Sequence, residues 1–233
     1  MKFRSGRTIF LVVSSVLVGL YRQFVLGSSH SVAAQIEGIP IQNVGEVPYL
    51  EAGAWILVTG MFVLLGILKW KEQEEVFLQV VVREGSYRKW WFHLYQNLLL
   101  HTILNILAAV GIWVLLDIAR GGRMVVPFKG LAFFALHLLS ILAATCLFGV
   151  CSGRAEWLYI PLLFDGGTLF FSFFAKAPRT LFFGTWGMLR QSSLVNTGKG
   201  FDIVFVTAAE ILVIVAGLAV PAVIQRKGNI KYG

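Results

Sequence analysis

The sequence predicts an all-α integral membrane protein that forms a single transmembrane domain over residues 1–233. Its residues are 57% hydrophobic and 14% charged, and its mean hydropathy of +0.76 is too high for a soluble domain of this length. The apolar residues form six long runs separated by polar or turn-rich connections. The basic residues stand at the ends of those runs, so the net charge of +8 indicates membrane topology and no nucleic-acid partner.

Each apolar run is close to the ~20 residues that a helix needs to cross ~30 Å of hydrocarbon. The predicted transmembrane helices cover about residues 8–27, 52–69, 94–117, 129–150, 157–175 and 203–224. We interpret the first run as a retained span, because it is long, contains Arg22 and lacks a small-residue cleavage site.

The distribution of lysine and arginine predicts the orientation, because these residues accumulate in cytoplasmic segments. With the N-terminus inside, twelve of them fall in cytoplasmic segments and seven in outer ones. We therefore expect a multi-pass protein of the plasma membrane with both termini in the cytoplasm.

The connection at residues 69–95 is a charged, aromatic insertion between the second and third runs. An acidic run is followed by the apolar stretch Val76–Val82 and then by basic and aromatic residues, an order suited to a short helix on the membrane surface. A plain loop whose basic and Trp residues anchor the span ends is the alternative, but it needs neither this length nor this order. The candidate partner-contacting residues are Glu74, Glu75, Arg83, Gly85, Ser86, Tyr87, Arg88, Lys89, Trp90 and Trp91.

Six spans and the motif R-E-G-S-Y-R-K-W-W (Arg83–Trp91) resemble the permease subunits of type-2 ATP-binding-cassette exporters. The likeness is greatest to the small permeases of bacterial peptide-antibiotic (lantibiotic-like) export and immunity systems. It covers the whole chain in topology and nine residues in motif. In that family the loop between spans two and three forms a cytoplasmic coupling helix that docks on the ATPase, and a re-entrant outer element joins spans five and six. Residues 176–202 contain an apolar patch, Leu181–Leu189, too short to cross the membrane but suited to such an element.

The resemblance implies a permease subunit that couples ATP hydrolysis by a separate ATPase subunit to export of an amphipathic, peptide- or lipid-like substrate. The implied partners are that ATPase, which would hold ATP and Mg, a second permease (identical or related) and the lipid bilayer. No Walker-type loop, Ser-centred elbow or closely spaced Cys/His cluster occurs in the sequence. We therefore expect no catalytic residue, no metal site and no cofactor on this chain.

Two other functions are compatible with parts of the sequence. One is a non-transporting immunity or assembly protein that binds partners through the same loop. The other, less favoured, is an intramembrane protease of the CAAX-processing type, for which Glu74-Glu75, Phe133…His137 and His101…Asn105 are fragments of the motifs. However, the arginine expected after the glutamate pair is missing, the histidine motifs stand in reversed order, and the glutamate pair lies in a loop.

Four polar residues recur at every fourth position of the third span: His93, Asn97, His101 and Asn105. This spacing places them on one slowly drifting face of a helix. Since polar groups are costly in lipid, that face should meet other helices or water. Hydrogen bonding between helices is favoured over a substrate path.

Four charged residues fall in or near the predicted spans: Arg22, Asp117, Asp165 and Glu210. Arg22 and Glu210 have similar expected depths, about 8 and 12 Å from the outer end of their spans, which is compatible with an ion pair between them. The alternative is that each charge faces a water-filled path separately. Asp165 lies in a stretch rich in Pro and Gly, which indicates a hinge or a close packing point. Asp117 stands at a span end, where we expect it to be solvated.

Overall fold

The computed structural model describes residues 2–25, 31–40, 45–74, 87–121, 126–152 and 158–224, and these form a bundle of α-helices. The helices are α1 (Lys2–Phe24), α2 (Ser31–Glu37), α3 (Tyr49–Glu74), α4 (Tyr87–Ala119), α5 (Phe128–Ser152), α6 (Ile160–Phe174) and α7 (Ile203–Ile224). Three 3₁₀ turns follow α6, at Arg179–Leu181, Phe183–Thr185 and Leu189–Gln191. The described residues contain no β-sheet, and their one β-bridge joins Ser192 to Phe201. The all-α prediction is confirmed.

Within the part of the chain that the structure describes, five helices are long and apolar enough to cross a membrane: α1, α3, α4, α5 and α7. They overlap the first four and the last of the predicted spans. Many of their large apolar side chains face outward, among them Leu104 of α4 and Leu212 of α7. Such an apolar exterior is that of a protein embedded in a membrane.

The fifth predicted span corresponds to the shorter helix α6, which has 15 residues. At 1.5 Å per residue it is about 22 Å long, less than the ~30 Å of hydrocarbon. Pro161 occupies its first turn, where a missing N–H costs nothing. The helix ends at Phe174, and the next residue, Ala175, caps it with an extended backbone.

The connection at residues 175–202 folds back along α6. The N–H of Gly184 donates to Oγ1 of Thr168 at 2.8 Å. A Cβ on Gly184 would lie 2.1 Å from the carbonyl oxygen of Asp165, so only glycine allows this approach. Since Asp165 is nine residues before the end of α6, the connection returns about 13 Å along that helix.

Helix α7 packs on α5 through a narrow buried stripe that includes Val206, Glu210 and Gly217. A Cβ on Gly217 would lie 3.1 Å from the carbonyl oxygen of Ala143 on α5. Small residues of this kind let two membrane helices approach closely. The stripe therefore fixes which side of α7 faces the bundle, and Glu210 lies on it.

Helix α2 and the connection 175–202 pack at the same end of the bundle. Nε of Arg190 lies 3.1 Å from Oε2 of Glu37, and Nε2 of Gln191 donates to the carbonyl oxygen of Ile39 at 2.8 Å. Gly38 has a φ of 79°, a left-handed conformation that favours glycine, and it lies against Met188.

Asp117 anchors this end to α4. Its Oδ2 accepts from the N–H of Val32 at the start of α2 at 3.2 Å, and its Oδ1 accepts from Nε2 of Gln23 at 3.3 Å. Asp117 is only 6% exposed. The prediction that it is solvated was wrong, because the segment between the first two spans folds over it.

Candidate functional site

Three ionisable side chains meet inside the bundle, one each from α5, α6 and α7. Nε2 of His137 lies 2.9 Å from Oδ1 of Asp165, and Nδ1 of His137 lies 2.8 Å from Oε1 of Glu210. All three side chains are fully buried. We call His137, Asp165 and Glu210 the buried cluster.

The two N···O contacts of the buried cluster are hydrogen bonds only if a hydrogen lies between the nitrogen and the oxygen in each. An imidazolium would donate to both carboxylates and leave one net negative charge. A neutral ring beside one protonated carboxyl group makes the same two hydrogen bonds with the same total charge. In either form His137 bridges the two acidic groups, and the cluster carries one net negative charge where two ionised carboxylates would repel each other.

The connection 175–202 closes the buried cluster. The ring of Phe183 lies 5.0 Å from the ring of His137, centroid to centroid, at an angle of 50°. A Cβ on Gly187 would lie 2.7–2.8 Å from three His137 carbons. These contacts leave no space for another molecule over this part of the imidazole ring. The buried cluster therefore ties three helices and the connection together.

The structure corrects the candidate partner of Glu210. Its Oε1 contacts His137, and its Oε2 has no hydrogen-bond partner among the described residues. The ion pair with Arg22 that the expected depths allowed does not form, because α7 turns Glu210 toward α5. Asp165 is a close packing point, as one of the two interpretations held, because Gly184 approaches its backbone and His137 binds its side chain.

His137 was noted in the sequence only as part of a protease-like fragment, and its role in the bundle was missed. A usable signal did exist. His137 lies nine residues from the start of α5, Asp165 nine from the end of α6, and Glu210 seven from the start of α7. If the spans alternate as the sequence predicts, these positions lie at similar depth, about 10–14 Å from the same side.

The polar face of α4 turns from the exterior to the interior along the helix. His93 and Asn97 are exposed, His101 is partly buried, and Asn105 is only 8% exposed. His101 and Asn105 line a pocket of about 150 Å³ that also receives Arg7 of α1 and Lys69 of α3. The four residues thus have different surroundings, and the inner two share one cavity.

The aromatic residues at the start of α4 pack inward. Nε1 of Trp91 donates to the carbonyl oxygen of Leu218 at 3.1 Å. The hydroxyl of Tyr95 donates to the carbonyl oxygen of Ile214 at 2.6 Å. Trp70 of α3 meets Trp91 edge to face, with centroids 5.6 Å apart. These contacts join the start of α4 to α3 and α7.

Of the predicted partner-contacting residues, Arg88 and Lys89 are exposed, Tyr87 is half-buried, and Trp90 and Trp91 are 5% and 1% exposed. The two tryptophans thus face the bundle, whereas they were expected at its surface. The side chain of Glu74 lies outside the described part of the chain. The same holds for Glu75, Arg83, Gly85 and Ser86.

The protease-like fragments do not converge where the structure describes them. His101 lines the pocket with Arg7 and Lys69, whereas His137 contacts Asp165 and Glu210. Those two carboxylates bind opposite nitrogens of one ring. Within the described residues no group of three His, Cys, Asp or Glu side chains could hold a metal ion.

Comparison with protein-family models, with curated proteins and with solved structures finds no match in any of the three.

Proposed function

We propose that this protein is the membrane-spanning permease subunit of an ATP-driven exporter. Helix α4 carries the proposal. It begins at Tyr87, next to the exposed Arg88 and Lys89, and runs for 33 residues into the bundle. At 1.5 Å per residue it is about 50 Å long, well beyond the ~30 Å of hydrocarbon. A helix of this length can transmit movement from the membrane surface to the interior.

The packing of α4 supports such a coupling role. Trp91 and Tyr95 hydrogen-bond the backbone of α7, and Trp91 packs on Trp70 of α3. A force on the first turn of α4 would therefore move three helices together. In the proposed cycle, closure of the partner ATPase around ATP and Mg pushes the segment before α4 and tilts these helices.

The proposal includes six membrane-embedded elements, with α6 and the returning connection 175–202 together forming the fifth. The return of about 13 Å along α6 fits a re-entrant outer element. Both termini would lie in the cytoplasm of a plasma-membrane protein, and a second permease, identical or related, would complete the path. The exposed apolar and aromatic faces of the helices would suit an amphipathic, peptide- or lipid-like cargo.

Topology can be tested separately from coupling. In a variant with Cys146→Ala and Cys151→Ser, single cysteines would be placed at Ser28, Gln73 or Gly198. We expect a membrane-impermeant thiol reagent to label positions 28 and 198 on intact cells and to label position 73 only after lysis. Labelling at position 73 from outside would reverse the arrangement.

Coupling is tested by purifying the tagged chain from its native host and identifying an ATP-hydrolysing subunit that accompanies it. The double variant Arg88→Ala/Lys89→Ala removes two exposed charges at the start of α4. We expect about tenfold less ATPase subunit to be recovered with it, as for loss of central interface contacts.

The matched control is Lys176→Ala/Lys199→Ala, which removes two exposed charges from the connection 175–202. It should keep wild-type recovery of the ATPase. Wild-type recovery and transport in the Arg88/Lys89 variant would overturn the proposal. If the folded chain brings down another membrane protein and no ATPase, the non-transporting immunity or assembly role is supported instead.

A further inference from the structure

A polar pocket of about 150 Å³ opens between α1, α3 and α4. The described residues that line it are Arg7, Thr8, Leu11, Leu65, Lys69, His101 and Asn105, and we call it the basic pocket. Arg7 and Lys69 lie near the ends of two candidate spans, Gly6–Phe24 and Tyr49–Gln73. These positions place the basic pocket near the depth of the lipid headgroups.

Among the described side chains, the basic pocket carries excess positive charge. Nη2 of Arg7 lies 2.6 Å from Oε2 of Glu72, and Nζ of Lys69 lies 3.0 Å from the same oxygen. One carboxylate therefore serves two cations. His101 is either neutral or positively charged, so it cannot offset the excess positive charge.

Arg7 also has unused hydrogen-bond donors. Its side chain is only 10% exposed, and its Nε and Nη1 have no hydrogen-bond partner among the described residues. Leaving buried donors of a charged group unsatisfied is costly. A solvated arginine at a span end would not be in this state, so the arrangement indicates a missing acceptor.

We propose that the basic pocket binds a phosphate group, from an anionic lipid headgroup or as a free phosphate ion. Phosphate oxygens accept from arginine and lysine in short, charge-assisted hydrogen bonds. Thr8 and Asn105 add a hydroxyl and an amide to the same lining. The volume is several times the ~30 Å³ that a water molecule occupies. Basic pockets between membrane helices are also a known setting for anionic headgroups.

A bound phosphate would fasten α1 to α3 and α4, because each of these helices contributes polar lining. The site does not depend on the exporter function. Its test therefore uses binding and stability of the purified full-length chain, with no transport readout.

The chain would be placed in nanodiscs of phosphatidylcholine, with or without phosphatidylglycerol, and its retained lipids counted by native mass spectrometry. Thermal unfolding would be recorded in both discs, and in phosphatidylcholine discs with added inorganic phosphate. Stabilisation by phosphatidylglycerol alone identifies a lipid headgroup, whereas stabilisation by inorganic phosphate identifies the free ion. Stabilisation by neither overturns the proposal.

Two variants locate the site. Arg7→Lys keeps a cation that can pair with Glu72 but removes Nε and Nη1, so it separates phosphate binding from folding. We expect it to weaken binding about tenfold, the equivalent of one charged hydrogen bond. Arg7→Gln should lose binding further.

The matched control is Lys71→Gln, two positions from Lys69 on the same helix but exposed and outside the pocket. It should bind as the wild type does. An equal loss with Lys71→Gln, or unchanged binding in Arg7→Lys and Arg7→Gln, would overturn the proposal.

Discussion

The buried cluster and the basic pocket both draw side chains from three helices and include a histidine, yet they differ in the sign of their charge and in open space. In the buried cluster both nitrogens of His137 are engaged, and Phe183 and Gly187 pack on the ring. In the basic pocket one oxygen of Glu72 serves two cations, and about 150 Å³ stays open. A closed site with a fully engaged centre supports the fold, whereas an open site with spare donors is suited to a ligand.

Removal of the central histidine should give the largest effect. His137→Leu would leave two buried carboxylates without their shared donor, and breaking a buried pair in this way costs about 3–5 kcal/mol. The triple variant that adds Asp165→Asn and Glu210→Gln should recover much of this loss, because no buried charge remains. Thermal unfolding of the purified protein in detergent measures both effects. His93→Leu, at an exposed histidine of α4, is the control and should lose little. A similar loss in both single variants would contradict the structural role of the buried cluster.

A substitution at Gly184 should push the connection 175–202 away from α6 and so open the buried cluster. In Gly184→Ala the new Cβ would lie 2.1 Å from the Asp165 carbonyl oxygen and 2.7 Å from the Leu169 nitrogen, both of them backbone atoms. Overpacking of this kind costs about 1–3 kcal/mol. Gly167→Ala is the matched control, because a Cβ there meets nothing within 4 Å. It should be neutral or stabilising, since alanine favours a helix over glycine by about 1 kcal/mol. Equal loss in both variants would show that the connection does not press on α6.

A double-mutant cycle sharpens the assignment of partners. His137→Gln and Glu210→Gln should be coupled by about 0.5–3 kcal/mol, because the two side chains are in contact. Arg22→Gln and Glu210→Gln should add independently, within about 0.5 kcal/mol. A coupling energy between Arg22 and Glu210 as large as that between His137 and Glu210 would instead support an ion pair between Arg22 and Glu210.

The smallest change in stability is expected in the basic pocket. Glu72 is 32% exposed, so its pairs with Arg7 and Lys69 are partly screened, and Glu72→Gln should cost less than about 1 kcal/mol. The same change removes the only carboxylate of these pairs, so phosphatidylglycerol should bind more tightly. Native mass spectrometry in mixed nanodiscs measures this gain. Weaker lipid binding in Glu72→Gln would mean that Glu72 orients the pocket and does not compete with its ligand.

The sequence predicted the positions of most long helices, but it was wrong about which side chains on some of them face the bundle. The third span was predicted from residue 94, whereas α4 begins at Tyr87. This earlier start places Trp91 within the helix, on the side that meets α7, so a tryptophan expected at the surface is buried. Arg88 and Lys89, on the same turn, are exposed. A Trp beside a basic pair is compatible with either side of a helix, and only the neighbouring helix decides between them.

The sequence by itself determined the all-α, membrane-embedded class of the protein and the position of its charges along the apolar runs, because run length and position along a run are local quantities. It singled out Asp165 and Glu210 as unusual groups inside spans. Only the tertiary structure decided that both of them bind His137, which is 28 and 73 residues away along the chain. Partner choice depends on how each helix is rotated about its axis. That rotation follows from close contacts such as Gly217 on Ala143 and Gly184 on α6, which no single segment of the sequence specifies.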